Sequence, residues 1–445
     1  MFFLLKMYVC GIKNIDKEIE INFYKNNLSK NLDTSNSHVK AIYGCNGAGK
    51  TGIMYAVDIY KNTVLNQNYL SVCNNDGSLD CLINKNTQEF EITMVFACIA
   101  KDNSYKVYSH TLRIKKFDDG FKIAEEKLSE LSGNNINNAQ KYSVIYHIEN
   151  GEIVGLHKNC EYFEELRMKT MNLLSTQSFE CAAVRPLLNS KDKILDSVLS
   201  EAAINLVKFV LTIRVVLQGS DRFISGNFLE QINDLINLHT PQNIKQASSG
   251  NNQGKMLSCL NTQRVHKNNL ESYKKHIGNM CSFLKIFNDD LVDIEIRKDE
   301  NGDYYECEKI LVYKDKRISE NFESTGIKKL INLYSALSDL NRGSIVFIDE
   351  FDANIHDVLL VKLVDYIMQY SRGQFIFTTH NLAPMDVLKT ANNSIDFLSS
   401  DSRLVSWTKN GHYTPASQYS KGLIKYSPFN IEAFSFLGVF GDEQK

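Results

Sequence analysis

The residues that most clearly suggest a chemical function form a glycine-rich octapeptide, Gly44-Cys45-Asn46-Gly47-Ala48-Gly49-Lys50-Thr51. Its spacing is that of G-x-x-x-x-G-K-[ST], in which the glycines let backbone N–H groups surround phosphate oxygens. Lys50 would reach the β- and γ-phosphates, and the Thr51 hydroxyl would bind Mg²⁺. A short apolar strand before the octapeptide and a helix after it favour a phosphate loop over an ordinary glycine-rich turn. The predicted phosphate-binding residues are Gly44, Asn46, Gly47, Gly49, Lys50 and Thr51.

A second group of reactive side chains follows the apolar, β-branched run at residues 344–348. That run predicts a strand buried on both faces, and it ends in Asp349 and Glu350. An acidic pair at the end of a buried strand is costly unless it serves a metal ion and a water molecule. We therefore expect Asp349 to hold Mg²⁺ and Glu350 to polarise an attacking water.

A second apolar run, residues 374–379, ends at His380. A histidine at a strand end is by itself more often structural. One strand–helix–strand unit separates it from Asp349, however, and this spacing favours a catalytic histidine that contacts a γ-phosphate.

Between the two groups, Ser324 and Gly326 precede a stretch with helical apolar periodicity. They would open a helix whose N-terminus can bind an anion. The alternative is that Ser324 is only a helix N-cap. If both this helix and the helix after Lys50 start on the same face of one chain, they cannot share one phosphate.

The remaining sequence divides into three ranges with different patterns. Residues 1–150 read as strands with polar turns, including a hairpin formed by 90–96 and 105–114. Residues 151–285 read mainly as helix, and the apolar run at 202–217 predicts a buried amphipathic helix. The polar stretch at about 238–269 predicts a mobile loop. Residues 286–445 return to a strand pattern and carry Ser324, Asp349 and His380.

The composition of the 445 residues excludes several classes of protein. A net charge of -2 with 23% charged residues excludes a chain-wide polybasic nucleic-acid binder and an acidic disordered chain. A local cluster of basic residues in the middle range reads either as a solvated face or as a phosphate-backbone contact: Lys255, Arg264, His266, Lys267, Lys274 and Lys275. The ten cysteines have no CxxC pair, which fits free thiols in a reducing cytoplasm. Neither a signal peptide nor a membrane span is predicted.

Taken together, the four motifs resemble the ABC-type ATPases, in which the signature serine and glycine of one subunit contact the γ-phosphate on another subunit's loop. Here the signature reads Ser324-Thr325-Gly326 in place of L-S-G-G-Q. The resemblance implies head-to-tail dimers, ATP and Mg²⁺ as ligands, and a D-loop at Asp352 that crosses the dimer interface. It also implies an α/β fold: an ABC-type P-loop ATPase head, with a mixed central sheet and an antiparallel β subdomain, interrupted by a helical insertion.

On this basis the three ranges become a first ATPase lobe, a helical insertion and a second lobe with a C-terminal cap. The chain is similar to the standalone ATPases of the overcoming-lysogenisation-defect and abortive-infection group, and to the AriA-type subunit of PARIS anti-phage systems. The matching segments are 5–15, 323–329, 348–356, 377–381 and a closing aromatic stretch that ends at 436–441.

This resemblance implies that the protein is a nucleotide-gated sensor or scaffold in anti-phage defence. It also implies that the protein forms homo-oligomers and responds to a phage protein. The 65 residues after His380 carry no acidic TOPRIM set, so a TOPRIM-like nuclease would be a separate effector. The alternatives are a DNA-repair ATPase similar to RecF or SMC proteins, for which DNA binding stays open, and a transporter's nucleotide-binding subunit. The long interval between Lys50 and Ser324 weighs against the transporter.

Overall fold

Three β-sheets form the framework of the residues that the computed structural model describes, which are 1–157, 163–184, 186, 197–217, 264–391, 393–408 and 413–423. The strands are β1 (Phe2–Cys10), β2 (Ile19–Asn22), β3 (Val39–Gly44), β4 (Glu89–Ile99), β5 (Tyr105–Phe117), β6 (Gly120–Leu131), β7 (Tyr142–Glu149), β8 (Glu152–Leu156), β9 (Ile213–Val216), β10 (Arg264–His266), β11 (Leu291–Asn301), β12 (Tyr304–Tyr313), β13 (Arg317–Ser319), β14 (Ile345–Ile348), β15 (Gln374–Thr378), β16 (Ile395–Leu398) and β17 (Leu404–Ser406).

Helices cover these sheets. They are α1 (Lys50–Leu65), α2 (Tyr69–Asp76), α3 (Ser78–Leu82), α4 (Phe163–Thr170), α5 (Ser197–Thr212), α6 (Leu270–Lys285), α7 (Thr325–Asn341), α8 (Asp357–Tyr370), α9 (Met385–Leu388) and α10 (Pro415–Ser420). Among the helices of the described residues, none combines the length and the hydropathy that crossing a bilayer requires.

The central sheet has six strands in the order β17-β16-β3-β15-β14-β9. All neighbours are parallel except β16 and β17. Every residue of β3, β14 and β15 is buried, as an α/β sheet covered on both faces requires. Because parallel strands point the same way, the carboxyl ends of β3, β14 and β15 meet at one edge. The α/β class and the mixed central sheet are confirmed.

Alternate residues of the central strands feed two hydrophobic cores. Ile345 and Phe347 pack into the core shared with α1, α5 and the seven-stranded sheet. Val346 and Ile348 pack on the opposite face, into the core shared with α7 and α8. The period-2 alternation of a strand produces this division. Both faces of the sheet that carries the chemical motifs are therefore fixed by packing.

The seven-stranded sheet is antiparallel, with the order β2-β1-β4-β5-β6-β7-β8. The predicted hairpin is present as β4 and β5, with Phe96 opposite Tyr108. Its turn is closed by Ala100, whose N–H donates to the Ser104 carbonyl oxygen over 2.8 Å. The predicted antiparallel β subdomain is thus confirmed. A third, four-stranded sheet contains β10, β12, β11 and β13.

The apolar run at 202–217 differs from its prediction as one amphipathic helix. The helix α5 ends at Thr212, and residues 213–216 form β9, which pairs in parallel with β14 at the edge of the central sheet. Ile213, Val215 and Val216 are β-branched, and such side chains favour a strand once a partner edge is available. A segment of the predicted insertion range, 151–285, therefore contributes a strand to the central sheet.

A buried polar network joins α1 to the seven-stranded sheet. The Tyr60 hydroxyl lies 2.9 Å from His110 Nδ1, and the Tyr146 hydroxyl lies 3.1 Å from His110 Nε2. Tyr146 also donates to Glu180 Oε1 over 2.7 Å. Glu126 Oε1 lies 3.3 Å from His110 Nε2. Each of these side chains is almost completely shielded from solvent.

Burial sets the protonation of this network. It lowers the pKa of His110 to about 4, against the opposing charge of Glu180, and it raises the pKa of Glu126 to about 7. The pKa of Glu180 lies well above its usual value, because of burial first and the neighbouring Glu126 second. At neutral pH the network therefore holds an uncharged imidazole, and burial shifts Glu180 toward its protonated form.

Some predicted features lie outside the described residues. They include most of the predicted mobile loop at about 238–269, Lys255, and the closing aromatic segment near 427–441. Residues 264–269 of that loop are described, and they form β10 and a 3₁₀ turn. The domain boundaries at 150 and 285 remain predictions.

Candidate active site

The phosphate loop connects β3, which ends at Gly44, to α1, which begins at Lys50. Gly49 has φ 107°, in the left-handed region that glycine adopts readily. A Cβ added at Gly49 would lie 2.7 Å from Ile15 Cγ1, and one added at Gly44 would lie 2.5 Å from the Leu398 carbonyl oxygen. Only glycine fits at these two positions without displacing its neighbours.

Lys50 is almost buried at the start of α1. Its Nζ donates to the carbonyl oxygens of Gly44 over 2.7 Å and Cys45 over 3.1 Å. Burial lowers the pKa of the ammonium group, and nearby anionic groups, including Asp349 and Glu350, oppose that effect. The lysine is thus held beside the loop, within the electrostatic reach of the acidic residues.

One cleft of about 590 Å³ brings together most of the predicted site residues. It is lined by Cys45, Asn46, Gly47, Gly49, Lys50 and Thr51 from the loop region and, from the ends of the neighbouring strands, by Glu350 and His380. The predictions from two parts of the chain that are about 300 residues apart therefore converge on one cavity.

Asp349 and Glu350 follow β14 directly. The Asp349 carboxylate is largely buried, and its Oδ1 accepts a hydrogen bond of 2.6 Å from the Thr378 hydroxyl. Its backbone N–H donates to the Val216 carbonyl oxygen on β9 over 2.9 Å. Glu350 has φ 47°, a left-handed conformation that is uncommon for a residue other than glycine.

His380 lines the cleft just beyond β15. Burial lowers the pKa of its imidazole, and the positive charge of Lys50 lowers it further, while Asp352, Glu350 and Asp349 oppose both effects. The net direction favours a neutral ring. A neutral imidazole can donate one hydrogen bond and accept another.

Asp352 lies two residues beyond Glu350 and close enough to Lys50 and His380 to influence the pKa of both. Its Oδ1 is buried and has no hydrogen-bond partner among the described residues. An unpaired buried carboxylate oxygen is costly. This atom therefore offers an acceptor to a ligand or to a second chain.

Ser324 and Gly326 lie apart from this cleft. Ser324 is exposed and caps α7, where its Oγ accepts a hydrogen bond of 3.3 Å from the Ile327 N–H. A Cβ added at Gly326 would contact nothing closer than Ser324 Oγ at 4.0 Å. The N-cap interpretation of Ser324 therefore describes its contacts within one chain. Neither residue lines the cleft of its own chain.

Sequence reasoning missed a group of cleft residues from the turn after β1 and from the segment after α3. Asn14 Nδ2 donates to the Gly47 carbonyl oxygen over 2.6 Å, so this side chain braces the phosphate loop. Lys13 Nζ lies 4.1 Å from the centroid of the Tyr55 ring. Burial lowers the pKa of Lys13, and Asp349 opposes it. The remaining lining residues here include Asn84, Lys85 and Asn86.

Only a weak sequence signal marks these residues. Lys13 and Asn14 are polar residues in a tight turn that follows an apolar strand, which is a common surface pattern. Asn84 Nδ2 donates to the Lys13 carbonyl oxygen over 2.6 Å, a contact between segments about 70 residues apart. These two segments come together only in the folded chain, so no local sequence pattern marks their contact.

The side chains present fit ATP and Mg²⁺. The loop provides N–H groups, glycines with no room for a Cβ, and a lysine. Thr51 and Asp349 provide the hydroxyl and carboxylate oxygens that Mg²⁺ prefers. The buried, unpaired Asp352 Oδ1 adds an acceptor within the electrostatic reach of Lys50 and His380.

Comparison with known proteins identifies the class. A family model described as AAA ATPase domain matches residues 4–383, and the chain belongs to that family. The chain is thus an enzyme that hydrolyses ATP, as its phosphate loop predicts. No curated protein matches it.

The solved structures that are similar to the chain include three with low sequence identity. The Smc head domain of Pyrococcus furiosus, bound to the C-terminal domain of ScpA, has 15% identity and a TM-score of 0.42, and the match covers 92% of this chain and 97% of that one. The SMC head domain of Thermotoga maritima has 13% identity and a TM-score of 0.32, with 91% and 99% covered. The recombination mediator RecF with ATP has 12% identity and a TM-score of 0.37, with 92% and 98% covered.

Proposed function

We propose that the protein is a Mg²⁺-dependent ATPase whose complete hydrolytic site forms between two copies of the chain joined head to tail. The observation that carries this proposal is the single cleft lined by Lys50, Glu350 and His380. Ser324 and Gly326 are excluded from it, although their helix α7 presents an exposed N-terminus. A second copy can bring that N-terminus to the cleft.

In this mechanism the loop N–H groups and Lys50 bind the phosphates, and Ser324 of a second copy completes the γ-phosphate contacts. Thr51 and Asp349 would hold Mg²⁺, which when bound offsets the charge of the phosphates. Glu350 polarises the attacking water. His380, kept neutral by burial, contacts the γ-phosphate, and Asp352 belongs to the surface that meets the second copy.

The test replaces Glu350 with glutamine. Glu350→Gln keeps the side-chain shape but removes the base, so turnover should fall about a hundredfold or more. ATP binding should persist and trap a closed oligomer. Phosphate release, ATP affinity and size-exclusion chromatography with ATP measure the three effects, with Glu164→Gln on the exposed face of α4 as the control. Unchanged turnover in the Glu350 variant would refute the assignment.

We further propose that ATP binding gates a sensor or scaffold in anti-phage defence, which controls a separate effector nuclease of TOPRIM type in the cytoplasm. The support is the resemblance of the motifs to the abortive-infection ATPases. A phage protein is the trigger that this resemblance suggests.

The DNA-repair alternative requires a basic surface. Two lysines of the basic cluster in the middle range already have acidic partners, since Lys267 pairs with Glu300 and Lys274 pairs with Glu271 over 2.7 Å. Such pairing favours the solvated-face interpretation of this cluster, and a protein partner over DNA.

Native mass spectrometry of the protein co-expressed with its neighbouring gene products, with and without ATP, separates the two functions. A stable complex with a nuclease would support the defence role. ATPase activity that rises on addition of DNA, without such a complex, would support the repair role and contradict the defence proposal.

A further inference from the structure

The Thr378 hydroxyl contacts both residues of the acidic pair. Thr378 is the last residue of β15, and its side chain is fully buried. The hydroxyl donates to Asp349 Oδ1 over 2.6 Å and accepts from the Glu350 N–H over 2.8 Å. A hydroxyl has a single proton, and here that proton is used on Asp349. The carboxylate orientation and the Glu350 backbone thus depend on the same oxygen atom.

The acidic turn needs such a restraint. Glu350 has φ 47°, and a conformation of this kind persists only where its surroundings enforce it. The Phe351 N–H donates to the Thr378 carbonyl oxygen over 2.9 Å, and the Asp349 N–H donates to Val216 over 2.9 Å. Hydrogen bonds therefore hold three consecutive residues, 349–351, to β15 and β9. The Thr378 hydroxyl is the side-chain partner in this set, and the other partners are backbone carbonyl oxygens.

We propose that Thr378 is a positioning residue for ATP hydrolysis: its hydroxyl orients the Asp349 carboxylate toward Mg²⁺ and holds the backbone turn that directs Glu350 into the cleft. This inference rests on the proposed roles of Asp349 and Glu350. Groups that orient a metal ligand commonly change metal affinity or activity by about 10–100-fold when they are removed. The role of Thr378 thus predicts a defect in the use of Mg²⁺ and in turnover, with nucleotide binding by the phosphate loop retained.

The experiment compares Thr378→Val, which keeps the shape and removes the hydroxyl, with Thr378→Ser, which keeps the hydroxyl. ATPase rates are measured against Mg²⁺ concentration at saturating ATP, and ATP affinity is measured in EDTA. Thr378→Val should need about tenfold more Mg²⁺ for half-maximal rate and lose about tenfold in kcat, with unchanged ATP affinity in EDTA. Thr378→Ser should restore both properties.

The control is Thr63→Val in α1. It makes the same chemical change at a buried threonine whose hydroxyl has no hydrogen-bond partner among the described residues. Its Mg²⁺ requirement should match that of the wild type. A wild-type Mg²⁺ requirement and kcat in Thr378→Val would overturn the positioning role while leaving the proposed function intact. A wild-type protein with no Mg²⁺-dependent hydrolysis would overturn both.

A second variant covers the case in which Thr378→Val does not fold. Thr378→Cys is slightly smaller than threonine because it lacks the methyl group, and its thiol is a weaker donor than the hydroxyl. Circular dichroism establishes that it is folded. A raised Mg²⁺ requirement in this variant supports the proposal, and a wild-type requirement overturns it.

Discussion

Glu350, the residue proposed to polarise the attacking water, has a strained backbone conformation. Glu350 adopts φ 47°, which costs on the order of 1–3 kcal/mol for a residue other than glycine. Its N–H donates to Thr378 Oγ1, and the next N–H donates to the Thr378 carbonyl oxygen. The strain is therefore balanced by specific hydrogen bonds to β15, and its result is that Glu350 lines the cleft beside the phosphate loop.

Lys50→Ala should abolish ATP binding. The lysine lies beside the loop carbonyls with its charge close to the acidic pair, and alanine removes the one cation that the loop itself contributes. Titration with a fluorescent ATP analogue measures the loss. Lys101→Ala, in the exposed turn after β4, removes the same charge elsewhere and should bind normally. Wild-type affinity in the Lys50 variant would disprove the role of the loop.

Gly49→Ala should destabilise the fold by roughly 1–3 kcal/mol. The added Cβ would meet Ile15 Cγ1 at 2.7 Å, at a φ of 107°. Gly278→Ala is the matched control, because a Cβ in that helical position meets nothing within 4 Å. Alanine in a helix interior is favoured by up to about 1 kcal/mol, so this variant should be slightly more stable. Urea unfolding distinguishes the two, and equal stability of the variants would contradict the packing around Gly49.

At the level of single residues, the sequence predicts those site residues that a local motif marks. Lys50, Glu350 and His380 are predictable because a loop motif and two buried strand ends are visible as patterns, and the structure brings them to one cleft. Lys13 and Asn84 were missed because their approach depends on how distant segments fold together. In the sequence Thr378 reads only as part of an apolar strand, because a hydroxyl at the end of a strand has no distinctive spacing.

Among the elements, β9 shows how tertiary context overrides a periodic pattern. The run at 202–217 satisfies a helical period throughout, yet the chain leaves the helix after Thr212. Ile345–Ile348 offers the strand edge that β15 leaves open, and pairing with Ile213–Val216 satisfies the backbone groups along the facing edges of both strands. The helix itself was predictable, whereas its end required knowledge of the neighbouring strand.

The polar network between α1 and the seven-stranded sheet should make stability depend on pH. The pKa of Glu126 is about 7 in the folded protein against an ordinary 4.5, so its contribution is complete below about pH 4.5 and is lost as pH rises through 7. The wild type should therefore lose up to about 3 kcal/mol relative to Glu126→Gln between pH 5 and pH 8.

Urea unfolding of both proteins at several pH values measures this difference. His110, which titrates in the opposite sense, and Glu180, whose pKa is raised like that of Glu126, are common to both chains, so they cancel in the comparison to first order. Glu152→Gln, on the exposed surface of β8, should track the wild type at every pH. Parallel stability curves for the wild type and Glu126→Gln would exclude a titrating carboxyl in this network.

In the whole molecule, Ser324 lies outside the cleft of its own chain. This position predicts the result of mixing two inactive variants. A dimer of Lys50→Ala and Ser324→Arg chains contains one site with both defects and one site with neither. Each variant alone should be inactive, and the mixture should recover part of the wild-type ATPase rate.

The measurement is the rate of phosphate release at several ratios of the two variant chains. Recovery that peaks near equal amounts indicates a site shared between chains. A Ser324→Arg protein that is fully active by itself, as a monomer, would rule out a contribution of this serine in trans. Mixing Lys50→Ala with Glu350→Gln is the matched control: both defects lie on the cleft side of the chain, so no intact site forms and activity should stay absent.

The strand β9 also sets a limit on how this ATPase can be shortened. A chain that joined residue 150 directly to 286 would keep every predicted motif but would remove Ile213–Val216 from the sheet. The row of N–H and carbonyl groups along β14 would then face water beside the acidic pair, and the Asp349 N–H would lose its acceptor. Exposed strand edges of this kind recruit other chains, so the shortened head should self-associate through β14.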